Sequence, residues 1–145
     1  MPIPSPGAWE PALRAARSAV PVLLCLGAVA AATAAQSPCP PLADSLVNAG
    51  WTHYRANDMD AAGSAFAAAR ANCPSSLGAL IGTGYVALRR GDVAEAGARF
   101  AAAVRRDSTA VAALFGMGLV AWRRDEPDAA RRWFGRVTAI APAHA

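Results

Sequence analysis

The sequence predicts an all-α fold: a helical-repeat solenoid of three antiparallel helix–turn–helix units, about six helices, preceded by an N-terminal signal helix. Three observations carry this. Side chains recur at a spacing of 34 residues, so that Leu46, Leu80 and Leu114 fall in one column. So do Gly50, Gly84 and Gly118; Ala62, Ala96 and Ala130; and Phe66, Phe100 and Phe134. Three of the four Phe in the chain obey the period, which makes coincidence a poor explanation; a fixed period of this size marks stacked supersecondary units. Each unit is also interrupted by a short polar turn, RAND, RRGD and RRDE in succession. Ahead of the units runs an apolar, alanine-rich segment with a basic flank.

Residues 1–34 read as an export signal. Arg14 and Arg17 supply the positive flank, and Ser18 to Ala35 is nearly all apolar. Ala32, Thr33 and Ala34 place small residues where a signal peptidase cuts, after Ala34 or, as the next choice, after Ala35. The alternative is an uncleaved membrane anchor, although the run is short of the roughly 20 residues that span a bilayer and contains Pro21 and Gly27. Cys25 follows Leu24 and Cys39 follows Pro38, and both are poor matches to a lipid-modification motif. Residues 35–42 form a proline-rich lead-in. Pro38, Pro40 and Pro41 oppose a regular helix there, so the first helix is expected to start near Ala43 or Asp44 and run to about Arg55. The repeats then occupy 43–76, 77–110 and 111–142.

Each turn carries an acid placed to cap the second helix. Asp58 and Asp92 stand where an N-cap oxygen accepts from orphan amides. Asp92 with Glu95 spells a capping box, and Pro127 after Glu126 suits the first helical position. Glycine costs about 1 kcal/mol against alanine inside a helix. A column kept at Gly50, Gly84 and Gly118 therefore implies contacts with no room for a Cβ, faced by the Ala and Phe columns of the second helix. The three Phe of the column are expected to fill the space between successive units.

The last helix, from Pro127 to about Ile140, changes character. Trp133 stands where the earlier units have Ala65 and Arg99, and Ile140 where they have Asn72 and Arg106. Trp133, Val137 and Ile140 are spaced by four and three and form one apolar stripe. With no polar cap after Pro142, the stripe is expected to be exposed and to serve as an interface. A homodimer through the last helix is the simplest cover, and docking on a partner or folding back of Trp133 are the alternatives.

The period and its columns resemble the tetratricopeptide repeat, in which a small residue in the first helix is followed by Ala and Phe four apart in the second and by a closing Pro. The closing position here holds Pro74, Ser108 and Pro142, and the column three after Phe holds Ala69, Ala103 and Val137. The chain departs from the pattern in the first helix, where Leu replaces the usual Trp and His53, Ala87 and Ala121 replace the usual Tyr. The resemblance covers residues 43–142 and implies a concave groove lined by the first helices, with binding rather than catalysis as its use.

The columns expected in that groove are Val47, Ile81 and Phe115; Trp51, Tyr85 and Leu119; Tyr54, Leu88 and Trp122; and Arg55, Arg89 and Arg123. Positions 47, 51, 54 and 55 share one helix face by their spacing, separate from the stripe of Leu46 and Gly50. The helices are thus apolar over more than the width needed to pack on their own partners. That surplus suits an apolar or aromatic peptide, with the arginines at its edge to hold a carboxylate or backbone carbonyls. The alternative is that these side chains pack between neighbouring first helices and the arginines are solvated. The Lys, Asn and Arg clamp with which some grooves of this family hold a chaperone C-terminal carboxylate is not supported, because the corresponding columns are apolar or small.

The chain carries 14 Arg, no Lys and 10 acids, a net charge of +4. The acids are interspersed among the arginines, so no nucleic-acid-binding stripe forms. Loss of Arg14, Arg17 and Glu10 with the signal leaves 12 Arg, 9 acids, a net +3, and the cysteine pair Cys39 and Cys73. An even pair in an exported chain suggests a disulfide. Cys39 precedes the first helix and Cys73 follows the second, so antiparallel packing brings them together; closing that loop stabilises by roughly 3–4 kcal/mol. Of the two histidines, His144 is in the tail, and His53 reads as a partly buried core residue with no second ligand at metal spacing. There is no nucleophile elbow, phosphate-binding loop or Cys–His arrangement, and the strings IGTG and FGMG look like packing glycines inside helices. No catalytic, cofactor-binding or metal-binding residue is predicted. The expected protein is exported, periplasmic or secreted, and binds a protein or peptide partner without catalysis. A membrane-anchored assembly module, or a fragment of a longer repeat protein, is the alternative.

Overall fold

A computed structural model describes residues 39–142. The predicted signal segment, the lead-in before Cys39, and His144 lie outside the described residues. Those residues form α1 (Pro41–Arg55), α2 (Met59–Asn72), α3 (Leu77–Arg90), α4 (Val93–Arg106), α5 (Val111–Arg123) and α6 (Pro127–Ile140), with no strand among them. The fold is all-α, in three helix pairs.

The first helix begins two residues earlier than the prolines suggested, with Pro40 as N-cap and Pro41 as the first helical residue. Proline at that position gives up only an amide that has no intrahelical partner, and its fixed φ is already helical. Within each unit the turn is built the same way. Asn57, Gly91 and Asp125 occupy one column of the repeat and all three are left-handed, with φ of 61°, 85° and 58°. Glycine, Asn and Asp are the residues that enter this region at least cost. The next amides, of Asp58, Asp92 and Glu126, donate back to the carbonyls of His53, Ala87 and Ala121 at 2.9–3.0 Å, closing each first helix. The same acids open the second helices. Asp58 accepts from the Ala61 amide at 3.0 Å and Asp92 from the Glu95 amide at 2.9 Å. The capping box is not completed, because the Glu95 carboxylate accepts from Arg99 Nε at 2.6 Å while the Asp92 amide is spent on Ala87. At α6 Glu126 makes no side-chain cap, and Pro127 opens the helix.

Each helix packs on the next. The first helices α1, α3 and α5 also touch side by side, whereas α2, α4 and α6 do not touch one another. A row closed on one edge and splayed on the other is curved, and the first helices take the inner, concave side. The core explains the glycine column. A methyl group at Gly50 would lie 2.6 Å from Phe66 Cε1, and one at Gly84 2.8 Å from Phe100 Cε1. The opposite faces of these rings are closed as tightly by Gly82 and Gly116 of the following first helix. Phe66 and Phe100 are fully buried in these slots. In the first unit the column of Gly82 and Gly116 holds Asn48, which has no phenylalanine to receive and is exposed.

Candidate functional site

The concave face carries a run of aromatic rings in edge contact. Trp51 meets Phe66 at 5.2 Å, Tyr54 at 5.5 Å and Tyr85 at 5.8 Å between centroids. Tyr85 in turn meets Phe100 at 4.9 Å, and its hydroxyl donates to the Ala112 carbonyl at 2.9 Å. Burial, and after it the neighbouring Tyr54, push the Tyr85 phenol up to about 12. In the first two units these side chains therefore join neighbouring first helices as well as facing the groove.

The expected columns divide by unit. Ile81 and Leu88 are buried, at 7% and 5% exposure, and do not line the groove. The reason is that α3 has a first helix on either side, and these columns point along the row. Val47, one unit earlier, lies against the start of α3, with its Cγ1 3.1 Å from where a Cβ on Gly78 would stand. Tyr54 lies against Tyr85, and Arg89 stands over its ring at 5.5 Å. No described first helix follows α5, so the third members of the same columns are open: Phe115 is 42% and Trp122 66% exposed. Trp51, Tyr85 and Leu119 are half-buried. Tyr85, Val111, Ala112, Phe115 and Val137 bound a cleft of about 500 Å³ at this end of the face. The arginine column is exposed throughout. Arg89 donates to Asn57 Oδ1 at 2.6 Å and Arg55 to Thr52 Oγ1 at 3.4 Å, while Arg123 makes no side-chain hydrogen bond among the described residues.

A match to the tetratricopeptide repeat family covers residues 26–77 and 79–145. The chain belongs to the tetratricopeptide-repeat family. A comparison with curated proteins finds no match. Repeats of this family are generally protein–protein interaction modules rather than catalysts, and Phe115 and Trp122 of the third unit are exposed on this array.

Two further expectations are revised on the tetratricopeptide array. His53 is exposed rather than part of the core. Its column is buried at Ala87 and Ala121, which have the second helix of the preceding unit alongside, and no described helix precedes α1. The stripe of Trp133, Val137 and Ile140 is not a continuous exposed face. Val137 is 5% exposed, in the column that Ala69 and Ala103 keep buried, because this side of every second helix is turned toward its own unit. Trp133 is half-buried beneath Arg136, whose guanidinium is 5.0 Å from the ring and donates to the Ser108 carbonyl at 3.0 Å. Ile140 alone is exposed.

Contacts between units that the sequence did not announce come from arginines. Arg90 bonds the Met59 carbonyl at 3.0 Å and Asp60, and Arg106 bonds the Pro74 carbonyl at 3.3 Å. A polar cleft on the opposite face holds Asp60, Arg90, Asp92 and Glu95. Its acids are engaged with Arg90, the α4 amides and Arg99. No group of three or more His, Cys, Asp or Glu among the described residues is placed to hold a metal ion. Cys39 and Cys73 are brought to bonding distance, with Cα atoms 5.5 Å apart.

Proposed function

We propose that this tetratricopeptide-repeat protein is exported and binds an apolar or aromatic segment of a protein partner on the concave face of its third unit, without catalysis. The observation that carries the reading is the exposure of Phe115 and Trp122 on one helix face, beside the cleft that Tyr85 and Val111 help to bound. Arg89 and Arg123 stand at the edge of that face and suit the carbonyls or terminal carboxylate of a bound segment. Trp51, Tyr54, Val47 and Arg55 extend the surface toward the first unit, and Leu119 lies between the two exposed rings. Export rests on the apolar run ahead of the array, and the Cys39–Cys73 pair belongs to the same reading, since oxidising compartments keep disulfides. Association through α6 belongs to it too.

Capture of partners from the cell envelope with a C-terminal tag tests the proposal. Trp122→Ala is expected to weaken capture by more than about 1 kcal/mol, as for an interface hot spot, with the melting curve unchanged. A variant that loses stability and keeps its partner would place Trp122 in the core and end the groove reading. The N-terminal sequence of the recovered protein tests export: cleavage after Ala34 supports it, and an intact N-terminus favours the membrane-anchored alternative. The family match begins at residue 26, inside the apolar run, which makes this the measurement to do first.

A further inference from the structure

The outer face of α5 and α6 is the third copy of a surface that the molecule already uses twice. In the first two copies, Phe66 and Phe100 are each closed on their far side by a glycine of the next first helix, Gly82 and Gly116. Beside them Gly63 and Gly97 leave room for the guanidinium groups of Arg90 and Arg124, which stand 3.5 and 3.1 Å from where a Cβ would be. The third copy keeps the phenylalanine and changes what surrounds it. Phe134 is held by Gly118 on one side, has Phe115 tilted against it at 5.4 Å between centroids, and is only half-buried, with no glycine of a following helix among the described residues to close it. Arg131 fills the column of Gly63 and Gly97, so the notch for an incoming arginine is gone. Gly135 replaces Ala67 and Ala101, and a Cβ on it would meet nothing within 4 Å. Trp122, Ala130, Arg131, Phe134, Gly135 and Thr138 border an open cleft of about 430 Å³.

Another unit of the same kind does not fit this face. A unit that brings an arginine like Arg90 or Arg124 needs the notch that Arg131 fills, and any such unit needs a glycine opposite Phe134. The α1 helix of a second copy offers Asn48 in that column, so head-to-tail stacking drives a side chain into the ring. A different approach of the same chain does fit. Arg131, Phe134, Gly135 and Thr138 lie at spacings of three and four and form one stripe along α6. The stripe is self-complementary when reversed. A twofold axis passing between Phe134 and Gly135 sets each Phe134 on the Gly135 of the other copy, and each Arg131 opposite the other Thr138.

We infer that a second copy of this chain covers the face, α6 against α6, antiparallel, with Phe134 of each copy seated on Gly135 of the other. This rests on the association through α6 proposed above and moves its centre from Trp133, Val137 and Ile140 to the neighbouring stripe. The interface continues the one established twice inside the chain: a phenylalanine ring closed on both faces by helical glycines. It also gives a reason for Gly135, which weakens the interior of its helix and packs against no described residue. The contact is isologous, so it closes at two copies and does not run on into a filament.

Sedimentation equilibrium on the purified chain, over a micromolar range, tests the inference through two substitutions. The wild type is expected to be a reversible dimer. Gly135→Leu has open space in the monomer, so it is expected to abolish the dimer at concentrations where the wild type is associated, with the melting curve of the dilute monomer not lowered. Arg131 is 3.3 Å from Asp128 of its own helix; Thr138→Glu sets a second carboxylate opposite each Arg131 of the other copy, and these two exposed contacts tighten the dimer by up to about fivefold at low salt. A monomeric wild type overturns the inference, as does a dimer indifferent to Gly135→Leu. A dimer that Gly135→Leu dissolves but Thr138→Glu does not tighten overturns the antiparallel pairing. Trp122 borders this cleft as well as the groove, so the dimer shields part of the proposed binding surface, and partner capture by monomeric Gly135→Leu is expected to equal or exceed that of the wild type.

Discussion

At Gly116 a methyl group would stand 2.5 Å from Phe100 Cε1, and at Gly135 it would meet nothing within 4 Å. Phe100 has no retreat, because Gly84 holds its other face. Gly116→Ala is therefore expected to cost about 1–3 kcal/mol from overpacking, outweighing the gain of about 1 kcal/mol in helix propensity. Gly135→Ala keeps that gain and is expected to stabilise the dilute monomer by up to about 1 kcal/mol. Urea unfolding of the two variants at low concentration reads both signs. The sequence showed that glycines were packed and where the phenylalanines recurred, but not that each ring takes one glycine from its own unit and one from the next. Tyr85 supplies a second test at this scale. Its pKa rises from 10.0 to about 12, by burial and then by Tyr54, so the folded state binds the phenolic proton more tightly than the unfolded state. The associated stability is whole below pH 10 and is lost as pH rises from 10 toward 12. Thermal melts across that range should show a steeper decline for the wild type than for Tyr85→Phe. The variant starts lower by about 1 kcal/mol for the lost bond to the Ala112 carbonyl.

The second helices share one design but not one environment. Phe100 of α4 is fully buried between two first helices, whereas Phe134 of α6 is half-buried against one. Phe100→Ala is expected to cost about 3–5 kcal/mol, and Phe134→Ala less than about 3 kcal/mol in the dilute monomer. Denaturant unfolding of both variants checks the difference, and equal losses would mean that α6 is covered as α4 is. Element boundaries were largely legible, because the turn column of Asn57, Gly91 and Asp125 and the caps at Asp58 and Asp92 act locally. The two local misreadings were the start of α1, where proline at the first helical position loses nothing, and the capping box, where Arg99 competes for Glu95.

Across the whole array the two ends are finished differently. Cys39, before α1, and Cys73, after α2, lie with Cα atoms 5.5 Å apart, while the third unit holds its rings open. Closing a loop of this length by a disulfide is worth roughly 3–4 kcal/mol through the entropy of the unfolded chain. Reduction of the protein is expected to lower its unfolding free energy by about that amount, with amide exchange rising first in α1 and α2. A reduced protein of unchanged stability would mean that packing alone holds the first unit.

By itself the sequence determined the class of fold, the repeat and its register, and the turns and most of their caps. All of these follow from periodicity and from residues acting within a few positions of one another or across one helix pair. Only the tertiary structure decided which members of a column face solvent. Val47, Ile81 and Phe115 are one column by spacing, and so are Tyr54, Leu88 and Trp122, yet their exposure runs from buried in α3 to open in α5. That difference is not a property of the residues. It is set by how many neighbouring helices stand beside each one, and a repeat read along the chain does not carry that number.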